Sequence, residues 1–85
     1  MDNNLTAMSV FVQAADTRSF TKTGNRLGVS SSAIGKTIAR LEERLGVRLF
    51  HRNTRSITLT PEGALYLESC RRIFAEIEIA PQAQV

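Results

Sequence analysis

Between Phe20 and Gly46 the sequence FTKTGNRLGVSSSAIGKTIARLEERLG holds two short helical patterns separated by one tight break, and that spacing limits the fold more than any other feature. The first pattern places Phe20, Thr23 or Gly24, and Leu27 on one face, takes Ser19 or Thr21 as its cap, and stops at Gly28. The second starts from Ser30 as N-cap, carries Ile34, Ile38, Leu41 and Leu45 along one face, and closes at Gly46. With no side chain, Gly24 lets two helices approach closely, and Gly28 admits a left-handed backbone. This is the layout of a helix-turn-helix, whose second helix projects its N-terminal half from the fold.

The flanking segments complete a mainly α fold: three helices and two short strands over residues 1–60, then a longer helix and short tail over 61–85, which the family resemblance given below makes a winged helix-turn-helix and its linker helix. In LTAMSVFVQAA, the residues Leu5, Met8, Phe11 or Val12, and Ala15 recur at helical spacing, which predicts a first helix ending near DTRS. In VRLFHRNTRSITLT the period changes: Val47 and Leu49, then Ile57 and Leu59, alternate with polar residues around the loop HRNTRS, which predicts two short strands. Thr60 then caps a helix with Pro61 in its first position and Glu62 in its first turn. Its apolar stripe is Tyr66, Leu67, Cys70, Ile73, Phe74 and Ile77, and Pro81 is expected to end it, leaving PQAQV outside regular structure.

At 85 residues the chain has room for one small core and no deep cleft. Its charge is unevenly placed: from Arg18 to Arg55 there are nine basic residues against Glu42 and Glu43. The projecting face of the second helix presents Ser31, Ser32, Gly35, Lys36 and Arg40, which are hydroxyls, a gap and long cations suited to a DNA groove. An enzyme is not expected, because paired carboxylates, a nucleophile with its base and a phosphate-cradling loop are all missing from the sequence. A lone cysteine, Cys70, offers neither a disulfide nor metal-ligand spacing, and no cofactor is implied. No secretory signal or membrane span is legible, so a cytoplasmic protein is expected. The alternative function is a winged-helix module for a protein partner, which would have no need of so cationic a centre.

The segment SFTKTGNRLGVSSSAIGKTIARLEERLGVRLFHR, the TR of the loop, and LTPEG at the next helix together resemble the N-terminal DNA-binding region of LysR-type transcriptional regulators, from Leu5 to about Ile79. The resemblance implies sequence-specific double-stranded DNA binding by a winged helix-turn-helix for regulation of transcription. It places major-groove contacts on Ser31, Ser32, Gly35 and Lys36, with Arg55 entering the minor groove and Arg52 near the backbone; Thr21 and Ser30 are counted with them as candidate DNA-binding residues. It also implies a homodimer joined through the helix from Pro61, whose stripe holds more apolar surface than one small core can cover. Paired recognition helices would then address an interrupted inverted repeat. Family members continue into a larger domain that senses a small-molecule effector, and these residues do not include it. Ser31, Gly35 and Lys36 stand where the family often has glutamine, serine or threonine, and arginine; Thr23 and Gly24 replace its usual paired alanines. Serine is too short for bidentate adenine readout and lysine lacks arginine's planar fork, so the departures bear on the preferred sequence and leave the binding class intact.

Overall fold

The computed structural model describes residues 4–53 and 56–83, with side-chain surroundings for 5–53 and 56–77. In chain order the elements are α1 (Asn4–Thr17), α2 (Phe20–Leu27), α3 (Ser31–Leu45), β1 (Phe50–Arg52), β2 (Ile57–Leu59) and α4 (Pro61–Ala83). The strands pair antiparallel, with Phe50 opposite Leu59, His51 opposite Thr58 and Arg52 opposite Ile57.

Side-chain caps set the helix boundaries. Ser19, rather than Thr21, caps α2: its hydroxyl accepts from the Lys22 N–H at 3.1 Å. At the other end Gly28 turns into the left-handed region at φ 75°, and the Val29 N–H returns to the Gly24 carbonyl at 2.9 Å. Ser30 caps α3 by accepting from the Ala33 N–H at 3.1 Å. Gly24 is where the turn folds back on α2, since a Cβ there would lie inside contact distance of the Val29 carbonyl oxygen.

Phe11, Ala14, Ile34, Ile38, Leu49, Phe50 and Cys70 form the fully buried centre, so α1, α3, the wing root and α4 share one core. The Phe11 ring lies 5.3 Å from both the Phe50 and Tyr66 rings, in tilted arrangements that aromatic pairs favour. Because α2, α3 and α4 all pack on α1, its buried face is broad and centres on Ala7, Phe11 and Ala14, while Leu5 at its start is half exposed.

Three expectations need correction. Leu27 and Leu45, placed on core faces by their spacing, are exposed, because each occupies the last position of its helix, where the chain already turns away. Val47 is exposed and lies outside the sheet, and β1 begins only at Phe50. The Leu49 and Phe50 N–H groups donate to the Glu42 side chain, so this stretch is fixed to α3 before the ladder starts. Finally, α4 continues through Pro81 to Ala83. A proline's fixed φ is itself helical, so the chain runs on to Ala83 although Pro81 has no N–H to return to the carbonyl four residues before it. Gln84 and Val85 lie outside the described residues.

Gly24 and Gly35 should respond to alanine in opposite ways. Gly24→Ala must displace backbone and is expected to destabilise by about 1–3 kcal/mol. A Cβ at Gly35 would meet only the Phe20 ring at 3.7 Å, an ordinary contact, so Gly35→Ala is expected to stabilise through helix propensity by up to about 1 kcal/mol. Urea unfolding of both variants against the wild type measures the contrast, and a stabilised Gly24→Ala would refute the packing account.

Candidate nucleic-acid interface

The apolar face of α3 is anchored by Ile34, Ile38 and Leu41 in the core, which turns Ser31, Ser32, Lys36 and Arg40 outward. Between Ser31 and Arg40 there is no carboxylate, so the projecting half of the helix is purely hydroxylic and cationic. The Ser30 hydroxyl already accepts from the Ala33 N–H and has its proton left to donate, while Thr21 is exposed on the first turn of α2. Gly35 sits differently from its neighbours: its Cα faces the Phe20 ring, placing it at the seam between α2 and α3.

Behind this face, a hydroxyl cluster rigidifies the approach of α1 to α2. The Thr23 side chain is fully buried, donates to the Ser19 carbonyl at 2.8 Å, and lies 2.8 Å from the Thr17 hydroxyl. Thr17 in turn donates to that carbonyl at 2.9 Å and accepts from the Ser19 N–H at 3.1 Å. The Arg26 guanidinium ties α2 back to α1, reaching the Asp16 carboxylate at 3.1 Å and the Gln13 side-chain oxygen at 2.9 Å.

The wing is held to α3 by Glu42, to which the sequence pattern assigned no role. It is 8% exposed, and one oxygen accepts from the Leu49 and Phe50 N–H groups at 2.8 and 3.3 Å. Its other oxygen meets Arg52 Nη2 at 3.2 Å, while Arg48 Nε approaches the first oxygen at 3.8 Å. Arg52 also covers the Phe20 ring at 5.3 Å, so this expected DNA contact is engaged inside the domain. The expected minor-groove residue Arg55 lies outside the described residues, as does Thr54. Around them Asn53 and Ser56 close the loop: the Ser56 N–H donates to Asn53 Oδ1 at 2.9 Å, and the Asn53 N–H to the Ser56 carbonyl at 3.1 Å.

The helix α4 is attached at its first turn. Thr60 accepts from the Gly63 N–H at 2.8 Å and donates to the Arg48 carbonyl at 2.5 Å, and the Leu49 carbonyl occupies the space a Cβ on Gly63 would need. The apolar stripe expected to meet a second chain divides in two. Cys70 is fully buried, and Tyr66, Leu67 and Phe74 pack on the same core, so Cys70 is not a dimer contact and the other three serve their own domain first. Ile73 and Ile77 point outward, joined by Leu65, which is 68% exposed and was missed. With Ser69 these residues recur every fourth position, a second stripe that the first one masked. Leu45 and Val47 border its start beside Leu65, which gives their exposure a context.

A cationic recognition helix on an apolar three-helix base, flanked by a two-stranded wing, defines a winged helix-turn-helix domain. Residues 5–64 match the family model described as bacterial regulatory helix-turn-helix protein, lysR family. The chain belongs to that family. It is 40% identical over 80 residues to the HTH-type transcriptional regulator CrgA of Neisseria meningitidis, an alignment covering 94% of this chain and 27% of the relative. It is 41% identical over 83 residues to an HTH-type transcriptional regulator of Xanthomonas campestris, covering 98% and 24%. The chain thus spans about a quarter of the length of the curated relatives it matches. Among solved structures it superposes with a TM-score of 0.89 on the BenM DNA-binding domain in complex with catB site 1 DNA, at 26% identity, covering 96% of this chain and 91% of that one. The CbnR DNA-binding domain in complex with DNA gives a TM-score of 0.88 at 29% identity, covering 96% and 94%. Among the described residues no helix is long and apolar enough to cross a membrane.

Burial pushes the Cys70 thiol above its ordinary range, against a smaller lowering by its hydrogen bond with Tyr66. The folded chain therefore holds this proton more tightly than the unfolded chain. The resulting stability is complete below about pH 8.5, where both states are protonated, and is lost as pH climbs toward the folded value. Cys70 is expected to react with a disulfide reagent only as fast as the domain opens, and at full speed in denaturant. Rapid labelling of the native domain near neutral pH would contradict its burial.

Proposed function

We propose that this chain is the DNA-binding domain of a dimeric bacterial transcription regulator that works in the cytoplasm and reads double-stranded DNA through α3. The observation that carries this reading is the projecting half of α3: its core face is fixed by Ile34 and Ile38, and its outer face offers Ser31, Ser32, Lys36 and Arg40 with no acid among them. Side chains of this kind serve base edges and phosphates, and a helix presented in this way fits the major groove. Family membership and likeness to two domains solved on DNA support the same class. The family and the curated relatives are those of transcription regulators, not enzymes.

The roles divide by chemistry. Lys36 reaches base edges, Ser31 and Ser32 line the groove, and Arg40, one turn along from Lys36, holds phosphate. The Thr21 and Ser30 hydroxyls donate to the backbone of the same groove, and Arg55 at the wing tip enters the adjacent minor groove. The outward stripe of α4, with Leu65, Ile73 and Ile77, pairs with the same stripe of a second copy, so that two recognition helices meet an interrupted inverted repeat. A small-molecule effector would be sensed outside residues 1–85.

Selection from a random duplex pool at moderate salt, followed by sequencing, tests this directly. An interrupted inverted repeat is expected; retention without any enriched pattern, or no retention, would favour a protein-interaction module. Lys36→Ala is expected to relax preference along with affinity, whereas Arg40→Ala weakens all sequences alike and lowers the salt slope by about one. Equal losses without a change of preference would refute the readout assignment.

A further inference from the structure

We propose that Glu42 is a positioning residue for selective DNA binding, and that it acts by withholding Arg48 and Arg52 from phosphates; this deepens the DNA-binding reading above and rests on it. Three observations combine. Glu42 and Glu43 are the only acids between Arg18 and Arg55, yet Glu42 is buried, which is unusual for a carboxylate unless it is fully partnered. Its partners are two backbone N–H groups at the wing root and the two arginines on either side of that root. Both arginines also border an open cleft of about 650 Å³ whose α3 wall carries Arg40, the residue assigned to phosphate. The cleft therefore gathers three guanidinium groups beside Glu42 and Glu43, and the single charge of Glu42 is shared by the two on the wing side, most closely by Arg52.

The consequence follows from counterion release. A cation free to neutralise a phosphate steepens the salt slope by about 0.9, which between 1 M and 0.1 M salt amounts to roughly eightfold in affinity for any sequence. By engaging Arg48 and Arg52, Glu42 keeps that indiscriminate contribution low. It also fixes the wing root against α3, and so the spacing between the major-groove and minor-groove contacts. Removing its charge therefore raises binding to all DNA and loosens the geometry that favours the right one.

The test compares wild type and Glu42→Gln on two duplexes of about 30 base pairs, long enough for half-sites one or two turns apart, one random in sequence and one carrying the repeat enriched by selection. Glutamine keeps an acceptor for the backbone N–H groups and removes the charge. Circular dichroism of each protein in the binding buffer establishes that both are folded. Glu42→Gln is expected to bind the random duplex with a slope steeper by about one to two, to bind it roughly eightfold or more tighter at 0.1 M salt, and to lose a corresponding part of its preference for the enriched repeat. Adding Arg48→Gln and Arg52→Gln in the same chain is expected to return the slope to the wild-type value. Should Glu42→Gln fail to fold, Arg52→Gln alone decides: it leaves the random-duplex slope unchanged if Arg52 is withheld, whereas Arg40→Gln lowers it by about one. An unchanged slope and preference in folded Glu42→Gln, or a slope lowered by Arg52→Gln as much as by Arg40→Gln, overturns the proposal while wild-type binding stands. Failure of the wild type to bind either duplex overturns the DNA-binding reading with it.

Discussion

A carboxylate near the end of α3 decides where the wing goes. Strands of three residues, as in β1 and β2, cannot hold a hairpin together alone. Glu42 supplies the anchor by accepting the Leu49 and Phe50 N–H groups and pairing with Arg52, three charge-assisted contacts of a kind worth about 1.5–3 kcal/mol each. Such a group is stable inside only because its partners are complete; removing one leaves charge buried and uncompensated. The hairpin is therefore held against α3 by one side chain, while α3 itself is seated by Ile34, Ile38 and Leu41. Phe20 extends the same arrangement to α2, lying under the Arg52 guanidinium with its ring edge-on to Phe50 at 6.1 Å.

The opposite end of the domain is organised by apolar packing. In α4, Cys70 and the inner stripe hold the helix on the core, while Leu65, Ile73 and Ile77 remain outside. A helix with apolar residues on two faces can serve its own fold and a second chain together. The attachment at Thr60 and Gly63 fixes the direction in which α4 leaves the wing root. Pairing through the outer stripe would thus transmit a defined separation to the two recognition helices.

Elements announced by caps and periodicity were readable from sequence. Ser19, Ser30, Gly28, Gly46 and Thr60 mark their boundaries through local chemistry, which needs no knowledge of the rest of the chain. Ile34, Ile38 and Leu41 identified the buried face of α3 for the same reason. What escaped depends on contacts distant in sequence. The role of Glu42 was not legible because its N–H partners come from the following loop, after the helix has ended. Arg52 read as a DNA contact near the backbone because neither Glu42 nor Phe20 adjoins it along the chain. Leu65 was overlooked because the stronger inward stripe of α4 accounted for the helix by itself, and a period alone cannot reveal a second face. Gly63 offered no signal short of the fold, since it is small only to admit the Leu49 carbonyl.

The central claim is that α3 lies in the major groove while the wing, held at its root by Glu42, reaches the neighbouring minor groove. Dimethyl sulfate probing of a duplex carrying the enriched repeat tests it most directly, because the reagent reports guanine N7 in the major groove and adenine N3 in the minor groove. The account predicts protected guanines in two patches, one helical turn or a multiple apart, with protected adenines flanking each patch. Protection confined to one groove, or a duplex equally reactive with and without bound protein, would contradict it.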